Sequence, residues 1–290
     1  MKKTVDRLEY TTHQDLFFDF CLWEYKPVVP YENKFRSANL LYHSFDVANV
    51  NERIFQLVQI IREGFGLGNS VWGVKQLGED IFWEFYFYDY MRIERERSIT
   101  KLLDLMKPFI SCEVKANENH HYFMFSIDIN DDLISGEVDL DEIHMYIGNP
   151  GSTVSSGICY SLTTEGTRLE NFYFFFDAKK QMDDIIPKIA CSSYIDTTEI
   201  AIDRILWNEL KNCKVIVVAN KQRNDAIYFS GINVDQLIFF LKRMNYPAES
   251  ISFVEENRAK LDHLLYDVGF DYRMERNDLK ILKSGYYGNF

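Results

Sequence analysis

The segment DIFWEFYFYDY (Asp80–Tyr90) carries an aromatic side chain at seven of its eleven positions. Successive residues of a strand point to opposite faces, so a half-buried strand normally alternates apolar with polar residues. Here both faces carry rings. The two faces are Trp83, Phe85 and Phe87 on one side and Glu84, Tyr86 and Tyr88 on the other. We therefore predict a strand that has a packed layer on each side.

The same unit recurs around this strand: an amphipathic helix followed by two strand-like runs with a short turn between them. In the first copy, Asn51–Glu63 has apolar residues at helical spacing. It is followed by Ser70–Gln76 and Ile81–Tyr90. The last copy ends with His263–Arg273 and Asp278–Tyr287. Short turns make neighbouring strands antiparallel, so about five such hairpins would supply about ten antiparallel strands.

The remaining runs follow the same pattern. The predicted helices are Ser98–Met106, Lys179–Ala190, Thr197–Leu210, Val234–Met244 and Ile251–Leu261. The predicted strands are His120–Ile129, Glu137–Ile147, Gly157–Thr163, Thr167–Asp177, Lys214–Ala219 and Asp225–Gly231. Gly148–Ser156 breaks the pattern, because a loop replaces the expected helix. We expect a single domain, with a helical or irregular N-terminal part over residues 1–48 and the repeats over 49–290.

The strand faces indicate the architecture. In several strands one face is apolar and the other mixes Tyr, Met and Phe with polar groups. Apolar faces would bury against helices. The mixed faces are too polar for a dry core and too aromatic for open water. We therefore predict an α+β fold of α-β-β units in which about ten antiparallel strands close into a barrel, with helices outside and a lined cavity inside. The alternative is an α+β protein with two cores and no cavity.

Composition excludes several classes of function. The net charge is −12 and no Lys/Arg-rich run occurs, which argues against a nucleic-acid or anionic-membrane partner. The first residues lack the apolar run of a signal peptide, and no apolar run has the length of a membrane span. The five cysteines are scattered without metal-ligand spacing, as in a reduced, cytoplasmic protein without a metal site.

Three segments carry a resemblance to a known family. They are KVIVVANKQRNDAIYFSG followed by INVDQLIFFLKRM (214–244), the closing LLYDVGFDYRMERNDLKILKSGYYGNF (264–290), and GICYSLTTEGTRLENFYFFFDA (157–178). With the repeated α-β-β unit, they resemble the ABBA-type aromatic prenyltransferases, whose fold is the PT-barrel. The similarity runs from Asn51 to the C-terminus as a pattern and contains no short invariant motif.

The resemblance implies a reaction and its partners. An aromatic small-molecule acceptor would attack the allylic cation formed when an isoprenyl diphosphate loses its diphosphate inside the barrel. Basic and tyrosine donors suit phosphate oxygens, and aromatic faces suit a cation shielded from water. No cofactor would be required, although Mg2+ could accompany the diphosphate. We expect a cytoplasmic monomer without nucleic-acid or membrane partners.

The resemblance and strand parity together suggest candidate diphosphate ligands. They are Lys75, Tyr146, Tyr173, Tyr228, Arg273, Lys280 and Lys283. Strand parity sets Lys280 against Lys283, so we expect one of the two to face inward. A lysine at a strand end is also commonly solvated, and each tyrosine could simply fill the barrel. Glu170 and Asn171, together with the net charge of −12, are departures from a diphosphate site.

A carboxylate among aromatic side chains is the candidate catalytic residue. Glu84 would be costly to bury without a partner, so we interpret it as a base or as a group that orients the acceptor. His144 is an outside candidate. The predicted cavity-lining residues are Tyr86, Tyr88, Tyr122, Met124 and Phe175.

An alternative function uses the same cavity without catalysis. A small-molecule carrier or an interaction module would also suit an aromatic-lined barrel. The lumen discriminates between the two readings. Basic side chains that converge at one mouth favour the enzyme, and a purely apolar or filled lumen favours the alternative.

Overall fold

Ten antiparallel strands close into a single barrel in the computed structural model, which describes residues 7–91, 93–149 and 155–290. The strands are β1 (Ser70–Leu77), β2 (Asp80–Tyr88), β3 (Met124–Ile129), β4 (Glu142–Asn149), β5 (Ser155–Thr163), β6 (Gly166–Asp177), β7 (Val215–Lys221), β8 (Asp225–Ile232), β9 (Tyr266–Glu275) and β10 (Asp278–Asn289). Each strand pairs with its neighbours in the chain, and β1 pairs with β10 to close the ring. The predicted α+β barrel is confirmed, and the two-core alternative is wrong.

The helices pack around the outside of the barrel. They are α1 (Ala38–Ala48), α2 (Arg53–Phe65), α3 (Ile99–Met106), α4 (Asp131–Ser135), α5 (Met182–Ala190), α6 (Val234–Arg243), α7 (Ala248–Glu256) and α8 (Arg258–Leu261). The ring of Phe45 on α1 lies 4.9 Å from Trp83, and Phe65 on α2 lies 4.7 Å from Phe87. These contacts form one hydrophobic core between the helices and the outer face of the sheet. Among the described residues, no helix is long and apolar enough to cross a membrane.

Strand β2 divides its side chains as its sequence predicts. Trp83, Phe85 and Phe87 are fully buried in the outer core. Tyr86 and Tyr88 belong to a separate cluster inside the barrel. The rings on the two faces of this strand therefore serve two different packed layers.

Several predicted elements differ from the structure. Thr197–Leu210 contains no α-helix but only the 3₁₀ turn Ile202–Arg204. The stack of Trp207 on Phe270, at 4.6 Å between ring centroids, fixes this segment as a loop against the barrel. Residues 120–123 are also outside β3, which begins at Met124, and residues 137–141 are outside β4, which begins at Glu142. The predicted break at Gly148–Ser156 lies between β4 and β5, and residues 150–154 are outside the described ones.

The chain before α1 has little regular structure and crosses one end of the barrel. Isolated bridges join Tyr10 to Phe35 and Phe18 to Glu24. We call residues Phe18–Glu24 the N-terminal turn. It presents Phe20 to the interior cluster of the barrel. The opposite end of the barrel has no such covering among the described residues and carries the cavity described next.

Candidate functional site

A cavity of about 480 Å3 opens at one end of the barrel. Three lysines line it, and we call Lys75 of β1, Lys221 of β7 and Lys283 of β10 the lysine mouth. Each projects inward because it shares strand parity with other inward residues, such as Val217 for Lys221. The volume falls within the range of small-molecule sites, about 300–1,000 Å3.

Lys75 is held between two carboxylates. Its ammonium pairs with Glu84 and lies 3.0 Å from Asp128 Oδ1. Burial opposes the charged form of Lys75, but the charges of Asp128 and Glu84 outweigh it and raise the pKa above its usual value. Lys75 is therefore a permanent cation at the mouth.

Lys221 is held by one carboxylate and one tyrosine. Its Nζ donates to both oxygens of Asp271, at 2.8 and 3.0 Å, and to the Tyr228 hydroxyl at 3.2 Å. Burial opposes the charge, but Asp271 raises the pKa of Lys221 well above its usual range. Both side chains are nearly inaccessible, at 12% for Lys221 and 10% for Asp271, so the pair lies in a medium of low dielectric.

Lys283 is different, because its surroundings disfavour its charge. The positive charge of Lys75, then burial, then the charge of Lys221 lower its pKa to about 8. Its nearest carboxylate oxygen, Asp271 Oδ2, is 3.9 Å away and is already bonded to Lys221. Three ammonium groups therefore converge, and the charge of Lys283 is incompletely neutralised. A bound anion would neutralise it.

Anion binding should therefore weaken at alkaline pH. Lys283 loses its proton as pH rises through about 8, so its contribution to binding is present below that pH and lost above it. Lys283→Arg keeps the charge and serves as the matched control. Measured by calorimetry, the ratio of wild-type to K283R affinity for pyrophosphate should fall roughly tenfold between pH 6.5 and pH 9.5. Because both proteins meet the same ligand species, a constant ratio would contradict the prediction.

A closed ring of five tyrosines forms the floor of the cavity. We call Tyr86, Tyr146, Tyr173, Tyr228 and Tyr287 the tyrosine belt. Neighbouring ring centroids around it are 6.2, 6.0, 6.4, 6.5 and 6.0 Å apart. Burial raises the pKa of the belt hydroxyls above the usual value, so they remain neutral donors at physiological pH.

Glycines on neighbouring strands make room for two rings of the belt. A Cβ on Gly269 would lie 2.2 Å from the ring of Tyr228, and one on Gly73 would lie 2.5 Å from Tyr287. Both rings therefore lie flat against bare backbone. The belt therefore requires glycine at both positions, since any larger residue there would push the rings into the lumen.

Glu84 joins the mouth to the belt. Its carboxylate accepts hydrogen bonds from the Tyr86 hydroxyl at 2.6 Å and from Ser126 Oγ at 2.8 Å, besides its pair with Lys75. Ser126 Oγ also lies 3.3 Å from the Tyr146 hydroxyl. Glu84 is buried, and its three partners offset the cost of burying its charge.

Below the belt the lumen is nearly filled. The remaining space is about 60 Å3 and is lined mainly by apolar groups. Phe20 lies directly under the belt, 5.3 Å from Tyr86 and 5.8 Å from Tyr287 between ring centroids. The lumen thus has a large polar compartment above the belt and a small apolar one below it.

Most of the predicted site residues are brought together in the lumen. Those at the mouth or belt are Lys75, Glu84, Tyr86, Tyr146, Tyr173, Tyr228 and Lys283. Those below the belt are Tyr88, Met124 and Phe175. His144 also lines the mouth, with Nε2 3.7 Å from Glu142. Glu170 and Asn171, noted above as departures, lie at the rim.

Three residues predicted to lie in the lumen are outside it: Arg273, Lys280 and Tyr122. Arg273 and Lys280 face each other beyond the rim of the barrel, and both pair with Glu275 near the exposed turn. Of the two candidate lysines it is Lys283 that lines the cavity. The expected opposition by strand parity is wrong, because a β-bulge between Ile281 and Lys283 puts Lys280 on the same face, beyond the rim. Tyr122 precedes β3, so strand parity does not apply to it. Its hydroxyl bonds to Glu118 and to the Ile99 amide outside the barrel.

Sequence reasoning missed three important residues. Lys221 was assigned to a turn, although its spacing from Val217 and Ala219 continues the inward face of β7. Asp271 and Tyr287 fell inside predicted strands but were not singled out. The signal for all three is parity with an inward neighbour, and it needs the strand ends to be placed correctly.

The carboxylates of the mouth are arranged for lysines rather than for a metal ion. Among the described residues, no group of three or more His, Cys, Asp or Glu side chains is placed to hold a metal. Asp128, Glu84 and Asp271 are each bonded to a lysine. The expected optional Mg2+ therefore stays a prediction that no site among these described residues supports.

Comparison with known proteins adds no assignment. No protein-family model matches the chain, and no curated protein sequence matches it.

Proposed function

We propose that the chain is an aromatic prenyltransferase of the PT-barrel type. It would transfer an isoprenyl group from an allylic diphosphate to an aromatic small molecule in the cavity above the tyrosine belt. The observation that carries the proposal is the convergence of Lys75, Lys221 and Lys283 over that belt. Two of these cations lower the pKa of the third, so the mouth favours a multiply charged anion such as a diphosphate.

The arrangement supplies what the reaction needs at each step. The carbon–oxygen bond of the donor breaks, and the diphosphate leaves with the bonding electrons into the lysine mouth. The tyrosine faces below shield the allylic cation by cation–π attraction. The acceptor ring forms the new carbon–carbon bond, and its proton passes to Glu84, the buried carboxylate that lines the cavity.

Thermal unfolding with dimethylallyl, geranyl and farnesyl diphosphate tests the proposal, with pyrophosphate as the control ligand. A ligand at 100 times its dissociation constant stabilises the protein by about 2.7 kcal/mol. For a chain of this size the shift in Tm is about 2–4 °C per kcal/mol. We expect one isoprenyl diphosphate to exceed pyrophosphate and Lys283→Met to lose most of the shift.

Product analysis then separates the enzyme from the non-catalytic alternative. The donor that gives the largest shift is incubated with a panel of phenols, indoles and naphthols, and prenylated products are detected by mass. Binding of the donor without any product across the panel would favour a carrier. No shift beyond that of pyrophosphate would remove the proposal.

A further inference from the structure

The space around Phe20 limits the length of a chain that could enter the lumen. The compartment below the tyrosine belt holds about 60 Å3. A cavity that admits benzene, a ligand of six carbons, measures about 150 Å3. An additional isoprene unit has five carbons and does not fit there. A donor whose diphosphate lies at the lysine mouth therefore has no path downward through the belt.

Phe20 is the side chain that closes this path. Its ring packs edge-on against three interior tyrosines, at 5.3 Å from Tyr86, 6.1 Å from Tyr88 and 5.8 Å from Tyr287. It comes from the N-terminal turn and not from a strand of the barrel. A change at Phe20 can therefore alter the lumen without altering the sheet.

The N-terminal turn holds Phe20 in place. The carboxylate of Asp19 accepts hydrogen bonds from the amides of Cys21 and Trp23, at 3.1 and 3.0 Å. Leu22 adopts the left-handed conformation with φ of 58°. The Tyr90 hydroxyl donates to the Cys21 carbonyl at 2.8 Å. A non-glycine residue in that conformation persists only where its surroundings fix it. The ring of Phe20 is therefore held in one position below the belt.

We propose that Phe20 fixes the chain length of the donor, and that the site accepts the five-carbon dimethylallyl group and rejects longer chains. The inference rests on the proposed prenyl transfer. It assigns a specificity-determining role to a residue outside the repeats. Shortening Phe20 would join its space to the 60 Å3 below the belt and admit a second isoprene unit.

The test compares donors across variants at Phe20. For wild type we expect dimethylallyl diphosphate to raise Tm more than pyrophosphate, and geranyl diphosphate to raise it no more than pyrophosphate does. For Phe20→Ala the affinity for geranyl diphosphate should rise at least tenfold, a gain of about 3–5 °C in Tm. Phe20→Leu, a milder change, serves if the alanine variant does not fold.

Phe18→Ala is the matched control. Phe18 lies on the same turn but packs on Gly68 rather than on the belt, so its removal should leave donor preference unchanged. Equal shifts with both donors in wild type, or an unchanged preference in F20A and F20L, would overturn the inference while leaving prenyl transfer standing. If no isoprenyl diphosphate exceeds pyrophosphate, the proposed function and the inference fail together.

Discussion

Lys221→Met is expected to lower the free energy of unfolding by about 3 kcal/mol. The substitution leaves Asp271 with a nearly inaccessible carboxylate and only the more distant ammonium of Lys283, 3.9 Å away. A buried charge that loses its partner costs far more than the intact pair contributes. Urea denaturation followed by circular dichroism at pH 7 measures the change.

A double variant and a surface pair complete this experiment. Lys221→Met with Asp271→Asn removes both charges and should recover at least half of the loss. Lys180→Met breaks an exposed pair with Asp177, so it should cost less than about 0.5 kcal/mol. A double variant as unstable as K221M would show that the charge of Asp271 is not the cause.

Glu84→Gln is expected to reduce the rate of prenyl transfer by about 100- to 10,000-fold, the usual contribution of a general base. The amide keeps the volume of the carboxylate but cannot accept a proton from the acceptor ring. Removing a negative charge beside Lys75 should leave donor affinity equal or greater. Turnover with the best acceptor and the Tm shift with the donor are measured on the same samples.

The control for this variant is a carboxylate at the rim. Glu142 also lines the cavity, but its side chain is 39% exposed and it lies apart from the belt. Glu142→Gln should keep turnover within about threefold of wild type, a change of less than about 0.7 kcal/mol. If E84Q were as active as E142Q, the proton would have to go elsewhere, and Glu84 would only position Lys75 and Tyr86.

The alternation of side-chain types along the sequence predicted the barrel, because successive side chains of a strand always point to opposite faces. The two faces of β2 were assigned from sequence alone, and a one-residue slip would have exchanged its outer and inner rings. Helical spacing was less reliable. Thr197–Leu210 has apolar residues at helical intervals, yet the stack of Trp207 on Phe270 keeps it a loop. Tertiary contacts override local propensity in such segments.

The site was harder to predict than the fold, because it depends on where strands end. Lys221 was missed since the predicted strand stopped at Ala219, two residues short of the end of β7. Arg273 has inward parity, but β9 has passed the rim by that point and Glu275 binds it instead. Phe20 carries no local signal, because its position depends on a turn that folds across the barrel from outside the repeats.

The pairing of β1 with β10 has a consequence for the newly synthesised protein. Of the ten strands, β10 is synthesised last. Until it pairs with β1 and β9, the other nine strands form an open sheet with two unpaired edges. Such edges template aggregation, and pairings between distant parts of a chain form slowly. The growing chain is therefore most exposed to misassociation between the synthesis of β1 and that of residues 278–289.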